Sequence, residues 1–235
     1  MFFQLLLILE TALNRLFINR RKLSLFGLLF VAWSTQAFAE NSIILVYGDS
    51  LSAAYGITQP QGWVTLLQQK LNAEGYHYEV ANASISGETT SGGLTRFEKT
   101  ITTIKPKIVV LALGANDGLR GLPTQEMRKN LSTMITYSQK KKAKVLLLGM
   151  RIPPNYGPKY TEAFYQTYQQ LGQQHNINLV PFMLDQVAAK PHLIQADGLH
   201  PNALGQPVIL NNIWPALKLM LQKNKVAKPI LHQEK

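Results

Sequence analysis

The chain contains no cysteine. That excludes disulfides, a thiolate nucleophile and cysteine-ligated zinc together. Acidic residues are also scarce: 13 Asp and Glu stand against 24 Lys and Arg, a net charge of +11. No repeat of 20–50 residues recurs, which excludes solenoids and propellers. With 16 Gly and 12 Pro among 235 residues, neither a collagen nor a low-complexity linker fits. What remains is a chain that is 46% hydrophobic and 16% charged, the composition of a globular protein.

The N-terminus reads as a targeting segment. Arg20-Arg21-Lys22 is basic, and the largely apolar stretch Leu23–Trp33 follows it. That stretch is too short to span a bilayer comfortably. Ala37-Phe38-Ala39 then supplies a small-x-small pattern before Glu40. Together these predict a signal peptide over residues 1–39, cut after Ala39, and hence a periplasmic or secreted protein. An uncleaved N-terminal anchor is the alternative. Residues 1–19 carry an apolar run of their own, Phe2–Leu9, and fit either an extended leader or an over-long reading of the start.

Without residues 1–39, which hold four basic residues and one acidic residue, 20 basic and 12 acidic residues remain, a net charge of +8. Such a charge favours solubility first and transient contact with an anionic lipid surface second. Lys140-Lys141-Lys142 closes a predicted helix, where cations suit the C-terminus. It has no interleaved aromatics, so nucleic acid is not an expected partner.

Strand and helix patterns alternate along the rest of the chain. Ser42–Tyr47, Tyr78–Ala83, Ile108–Leu113, Lys144–Leu148 and Leu179–Phe182 read as strands, the first and third as near-continuous apolar runs buried on both faces. Trp63, Leu66, Leu67 and Leu71 recur at helical spacing, as do Leu94, Phe97, Ile101 and Ile104. Thr124 is a candidate cap for a helix carrying Met127, Leu131, Met134 and Ile135. Further helices are expected over 161–174 and about 202–221, the last distorted by Pro207 and Pro215. Five such alternations predict one three-layer α/β/α domain over residues 40–221 with a parallel sheet, then a polar tail over 222–235.

In such sheets ligands bind beyond the carboxyl ends of the strands. Four polar, Gly-punctuated segments stand there or just before the last helix: Gly48-Asp49-Ser50-Leu51-Ser52, Asn82–Thr89, Gly114-Ala115-Asn116-Asp117-Gly118, and Asp197-Gly198-Leu199-His200. Their chemistry is complementary. A Ser50 hydroxyl needs a base, which His200 can supply, and Asp197 can fix the tautomer of that imidazole. The backbone N–H groups of Ser50 and Gly87 and the side-chain amide of Asn116 can converge on a developing oxyanion. Each segment also has a plain reading: a turn, a capping motif, or two ligands of a metal. No further ligands lie at metal spacing, so no metal or cofactor is expected. Ser84 and Ser86 are rival nucleophiles.

These blocks, in this order, resemble the SGNH or GDSL-type hydrolase family over essentially the whole chain after residue 39. The resemblance places the nucleophile at Ser50, the oxyanion positions at Gly87 and Asn116, and the acid–base pair at Asp197 and His200. Asn82–Thr89, Asn116–Gly121 and Pro154-Asn155-Tyr156-Gly157 are similar to an exported thioesterase I/lysophospholipase subgroup of Gram-negative bacteria. That implies a flavodoxin-like five-stranded sheet, no cofactor, and hydrolysis of fatty acyl esters, thioesters and lysophospholipids; a monomer is expected. The Gly-x-Ser-x-Gly elbow of α/β-hydrolases is absent, because Ser52 follows where that elbow has Gly. Ala115 replaces a second Gly that the subgroup often carries.

An acyl chain needs an apolar groove beside Ser50. Leu119, Leu122, Ile152, Pro154 and Tyr156 are the expected wall, from loops after the third and fourth strands. Export argues against a CoA thioester as the natural substrate. The segment 118–123 reads either as a mobile lid over long acyl groups or as a static turn with a solvated Arg120. Two other functions compete: an esterase for acetylated carbohydrate, and a binding module without catalysis. Loss of any one of the five site residues would favour the latter, and all five are present.

Overall fold

The structure is a computed structural model that describes residues 42–222. The expected leader, and the tail beyond residue 222, lie outside the described residues. Strand β1 (Ser42–Gly48), helix α1 (Trp63–Ala73), β2 (Tyr78–Asn82), α2 (Thr90–Ile104), β3 (Ile108–Ala112) and a short α3 (Ala115–Leu119) make the first half. They are followed by α4 (Thr124–Lys140), β4 (Lys144–Leu148), α5 (Pro158–His175), β5 (Asn178–Val180) and α6 (Gln206–Lys218).

The five strands form one parallel sheet in the order β2-β1-β3-β4-β5. The central pair explains the apolar runs. Val46 lies opposite Val110, and Tyr47 opposite Leu111. All four are buried, because helices cover both faces. Helices α1 and α6 pack together, and α2 packs on α4, which packs on α5. Each turns an apolar stripe to the sheet: Trp63, Leu67 and Leu71 on α1, Met127, Leu131 and Met134 on α4, Phe164, Tyr168 and Leu171 on α5. Among the described residues no helix is long and apolar enough to cross a membrane.

The order places a topological switch at the middle of the sheet. From β1 the chain crosses outward to β2, then returns to β3 on the other side and runs on to β4 and β5. The loops leaving β1 and β3 therefore part in opposite directions and open a crevice between them, which is where a doubly wound sheet binds ligands.

Several boundaries differ from the sequence reading for physical reasons. Helix α6 begins at Gln206 rather than Asn202, because the Asn202 side chain accepts the N–H groups of Leu204 and Gly205 and closes a turn there. Pro207 then falls in the first helical turn, where a missing N–H costs nothing. Pro215 is inside the helix, which nonetheless runs on to Lys218. Thr124 is not a cap but the first helical residue, with Pro123 before it. Strand β5 is shorter and earlier than expected, and α5 starts at Pro158, whose fixed φ suits that position. The Gly114–Gly118 segment is neither loop nor hairpin, but opens α3.

Candidate active site

Beyond β1 the chain turns sharply. The Asp49 carbonyl accepts from Ser52 N and Ala53 N at 3.1 and 3.0 Å, and the Asp49 Oδ1 accepts from Leu51 N at 3.0 Å. Trp63, buried at the start of α1, donates its Nε1–H to the Leu51 carbonyl at 3.1 Å. Ser50 is thereby held at the mouth of the crevice, half-buried.

The segment 194–201 reaches the same point from the other end of the chain. An antiparallel bridge joins Ile194 and Pro201, and Gln195 N donates to the His200 carbonyl at 2.8 Å. Gln195 also donates its side-chain amide to the carbonyls of Tyr55 and Pro201, tying this segment to the loop after Ser50. The sequence reading missed Gln195, because a lone Gln in a loop carries no pattern. Within the bridge, His200 Nδ1 lies 2.6 Å from Asp197 Oδ2, and His200 Nε2 lies 2.9 Å from Ser50 Oγ. With Nδ1–H donating to the carboxylate, Nε2 presents a lone pair to the Ser50 hydroxyl. Asp197 Oδ1 accepts two backbone N–H groups, from Leu199 and His200. The His200 and Leu199 N–H bonds, then the imidazole, hold the Asp197 carboxyl at about 2, below its ordinary value. The Tyr55 ring lies against the imidazole, centroids 4.5 Å apart. Of the three serines considered, Ser50 is the one in contact with His200. Ser86 lines the same cleft, and the Ser84 hydroxyl is buried without a partner.

The loops after β2 and β3 complete the site. Gly87 has φ +78°, a left-handed conformation that glycine adopts without cost. Arg120 donates to the Gly87 carbonyl at 2.9 Å, so it is anchored and not simply a solvated charge. The adjacent Glu88 is paired with Arg96, whose guanidinium stacks on Tyr47. Gly114 begins α3 at φ +116°, and a Cβ there would sit 2.3 Å from the Tyr168 hydroxyl. Asn116 follows in the first turn of α3. Its Nδ2 faces the Glu88 carbonyl at 3.1 Å and Asp49 Oδ2 at 3.4 Å. Asp117, the other half of that block, points away. It accepts from Thr90 N and Oγ1 at 2.8 and 2.6 Å and pins α3 to the start of α2.

Ser50, Gly87, Asn116 and His200 all line one cleft of about 580 Å³. Of the expected wall, Leu119, Ile152 and Pro154 line it. Leu122 and Tyr156 do not, which corrects the sequence reading. Tyr156 stands behind the wall and donates its hydroxyl to the Leu119 carbonyl at 2.7 Å, and Leu122 is exposed with its carbonyl bonded to Tyr160 at 2.6 Å. Tyr55, Met150, Phe182, Leu184, Ala188 and Leu199 also line it, and sequence alone did not separate them from ordinary core and loop. The 118–123 segment is the last turn of α3 followed by an irregular stretch, with the carbonyls of Leu119 and Leu122 bonded to Tyr156 and Tyr160. Gly118 is buried, and a Cβ there would meet Ile152 and Phe164 at 2.6 Å, so the lack of a side chain serves packing there.

Comparison with known proteins identifies the family. Residues 46–208 match the model of the GDSL-like lipase/acylhydrolase family. The chain is 47% identical over 201 residues to esterase TesA of Pseudomonas aeruginosa, covering 86% of this chain and 100% of that one. It is 37% identical over 191 residues to thioesterase 1/protease 1/lysophospholipase L1 of Escherichia coli K12, covering 81% and 89%. Among solved structures, psychrotrophic esterase EstA from Pseudoalteromonas, inhibited by monoethylphosphonate, superposes with a TM-score of 0.73 at 43% identity, covering 76% of this chain and 97% of that chain. On its sequence blocks, its sheet order and these relatives, the chain belongs to the GDSL-like lipase/acylhydrolase family.

Proposed function

We propose that the protein is an exported serine esterase and thioesterase acting on fatty acyl esters, lysophospholipids among them. The observation that carries this is the hydrogen-bonded run Asp197–His200–Ser50 opening onto an apolar cleft. Ser50 Oγ attacks the acyl carbonyl while its proton passes to His200 Nε2. Asp197 stays ionised beside the imidazolium and holds its orientation. The backbone N–H groups of Ser50 and Gly87 and the Asn116 amide receive the oxyanion. His200 then protonates the leaving alcohol or thiol, and water hydrolyses the acyl-Ser50 ester by the reverse relay.

A cleft of about 580 Å³ favours a long acyl group over acetyl, so the lipid reading stands ahead of the carbohydrate acetyl esterase. The names of the relatives, esterase and lysophospholipase, support the same choice. Export rests on the signal-like pattern of residues 1–39. The test is covalent. An organophosphonate should label Ser50, and Ser50→Ala should fold yet lose nearly all activity on a p-nitrophenyl ester series of two to sixteen carbons. Labelling at Ser84 or Ser86 would overturn the assignment.

A further inference from the structure

The loop after Ser50 carries Tyr55 between two left-handed residues. Ala54 has φ +58° and Gly56 φ +72°. Glycine takes that conformation freely, but for alanine it is strained. The loop accepts this strain and still leaves the large Tyr55 ring 51% exposed. Gln195 braces the arrangement. Its side-chain amide donates to the Tyr55 carbonyl at 2.8 Å, and a Cβ on Gly56 would sit 2.0 Å from its Oε1. The Tyr55 ring meets the His200 imidazole with centroids 4.5 Å apart and planes tilted by 40°. The Tyr55 hydroxyl bonds to no protein group among the described residues.

Leu199 stands on the other flank of the triad. Its backbone N–H donates to Asp197 Oδ1, while its side chain is 46% exposed. Tyr55 and Leu199 both line the cleft. Two large apolar side chains held half in water beside the catalytic base make a surface that a ligand can cover. The path of the proton decides which part of a substrate lies there. His200 Nε2, 2.9 Å from Ser50 Oγ, passes the proton it has taken to the departing atom. The leaving group must therefore pass along the imidazole, where the Tyr55 ring lies. The acyl side is walled instead by Leu119 and Ile152, beyond β3 and β4.

We propose that Tyr55 and Leu199 form the leaving-group subsite, and that it selects alcohols and thiols carrying a flat aromatic ring, which stacks on Tyr55. This rests on the reading of Asp197–His200–Ser50 as an esterase. An aromatic pair gains from its ring quadrupoles what a saturated ring of equal area does not. The test compares benzyl butyrate with cyclohexylmethyl butyrate, whose alcohols are close in size and acidity. The wild-type protein should favour the benzyl ester by about three- to tenfold in kcat/KM. Tyr55→Phe should keep that preference, since the ring and not the hydroxyl is used. Tyr55→Leu should bring the two esters within about twofold of each other, while the chain-length profile on p-nitrophenyl esters keeps its shape. Equal rates on the two esters in the wild-type protein, a comparison that needs no variant, would overturn the proposal. So would an equal loss on both esters in Tyr55→Leu, the mark of a ring that only braces His200. A chain-length profile altered in Tyr55→Leu would also overturn it, by making the ring an acyl wall. Should Ser50→Ala cleave benzyl butyrate as fast as wild type, the esterase reading itself would fall, and the subsite with it.

Discussion

Asn116→Ala should lower kcat by roughly 10²–10³ while KM moves little, the usual cost of one oxyanion donor. The contact tightens only as charge develops, so steady-state kinetics on any activated ester separates it from a binding residue. Asp49 makes a prediction of the opposite sign for stability. Burial pushes its folded carboxyl up to about 7, above its ordinary value of 3.8. Between those two values the native state holds a proton that the unfolded state has lost, so stability falls as pH rises through that window and levels off above it. Asp49→Asn removes the effect. The variant's stability relative to wild type should therefore rise between pH 4 and pH 8, by up to roughly 4 kcal/mol at about 1.4 kcal/mol per pH unit. Urea unfolding at the two pH values measures it. Asp197, held at about 2 by its N–H bonds, adds nothing to that window.

At the scale of elements, α3 decides how the site is built. Gly118→Ala pushes a methyl into Ile152 and the Phe164 ring. Overpacking of this kind costs roughly 1–3 kcal/mol. It should displace α3, and with it Asn116, so activity should drop equally on acetyl and dodecanoyl esters. A selective loss on long esters would bring back the lid that the sequence suggested. Helix α6 is tied to the site through Gln206, buried, whose Oε1 accepts the Trp63 backbone N–H at 3.1 Å. Gln206→Ala orphans that buried donor and should cost roughly 1–3 kcal/mol. Thermal unfolding should register the loss, and activity per folded molecule should barely change, because Trp63 Nε1 still holds the Leu51 carbonyl.

For the whole molecule, on the proposed reading, acyl-chain preference follows how far the cleft extends past Ser50. Its outer wall includes Ala188, exposed in the stretch after β5. Ala188→Trp should narrow the cleft without touching the core. Hydrolysis of esters of twelve carbons or more should fall several-fold relative to acetyl, read as kcat/KM across the p-nitrophenyl series. A uniform change across the series would place the acyl chain along another wall.

The five candidate site residues could be picked out of the sequence because each stands in a short polar block that an apolar strand or a coming helix throws into relief. The parallel sheet was legible for the same reason: short, period-free runs such as Ile108–Ala112, rich in β-branched residues, suit a strand covered on both faces. Asp49 was hidden inside a turn-like triplet, since nothing local distinguishes an exposed turn aspartate from one 1% exposed. The cleft walls were hidden too, because Phe182 and Leu184 have the same apolar character as core residues. Sequence by itself determined the elements and the chemistry available at their ends, because both depend on neighbours along the chain. Which oxygen faces Asn116, which glycine is packed and which side chains wall the cleft were decided only by the tertiary structure. Those depend on residues such as Asp49 and Asn116, 67 positions apart, meeting across a sheet.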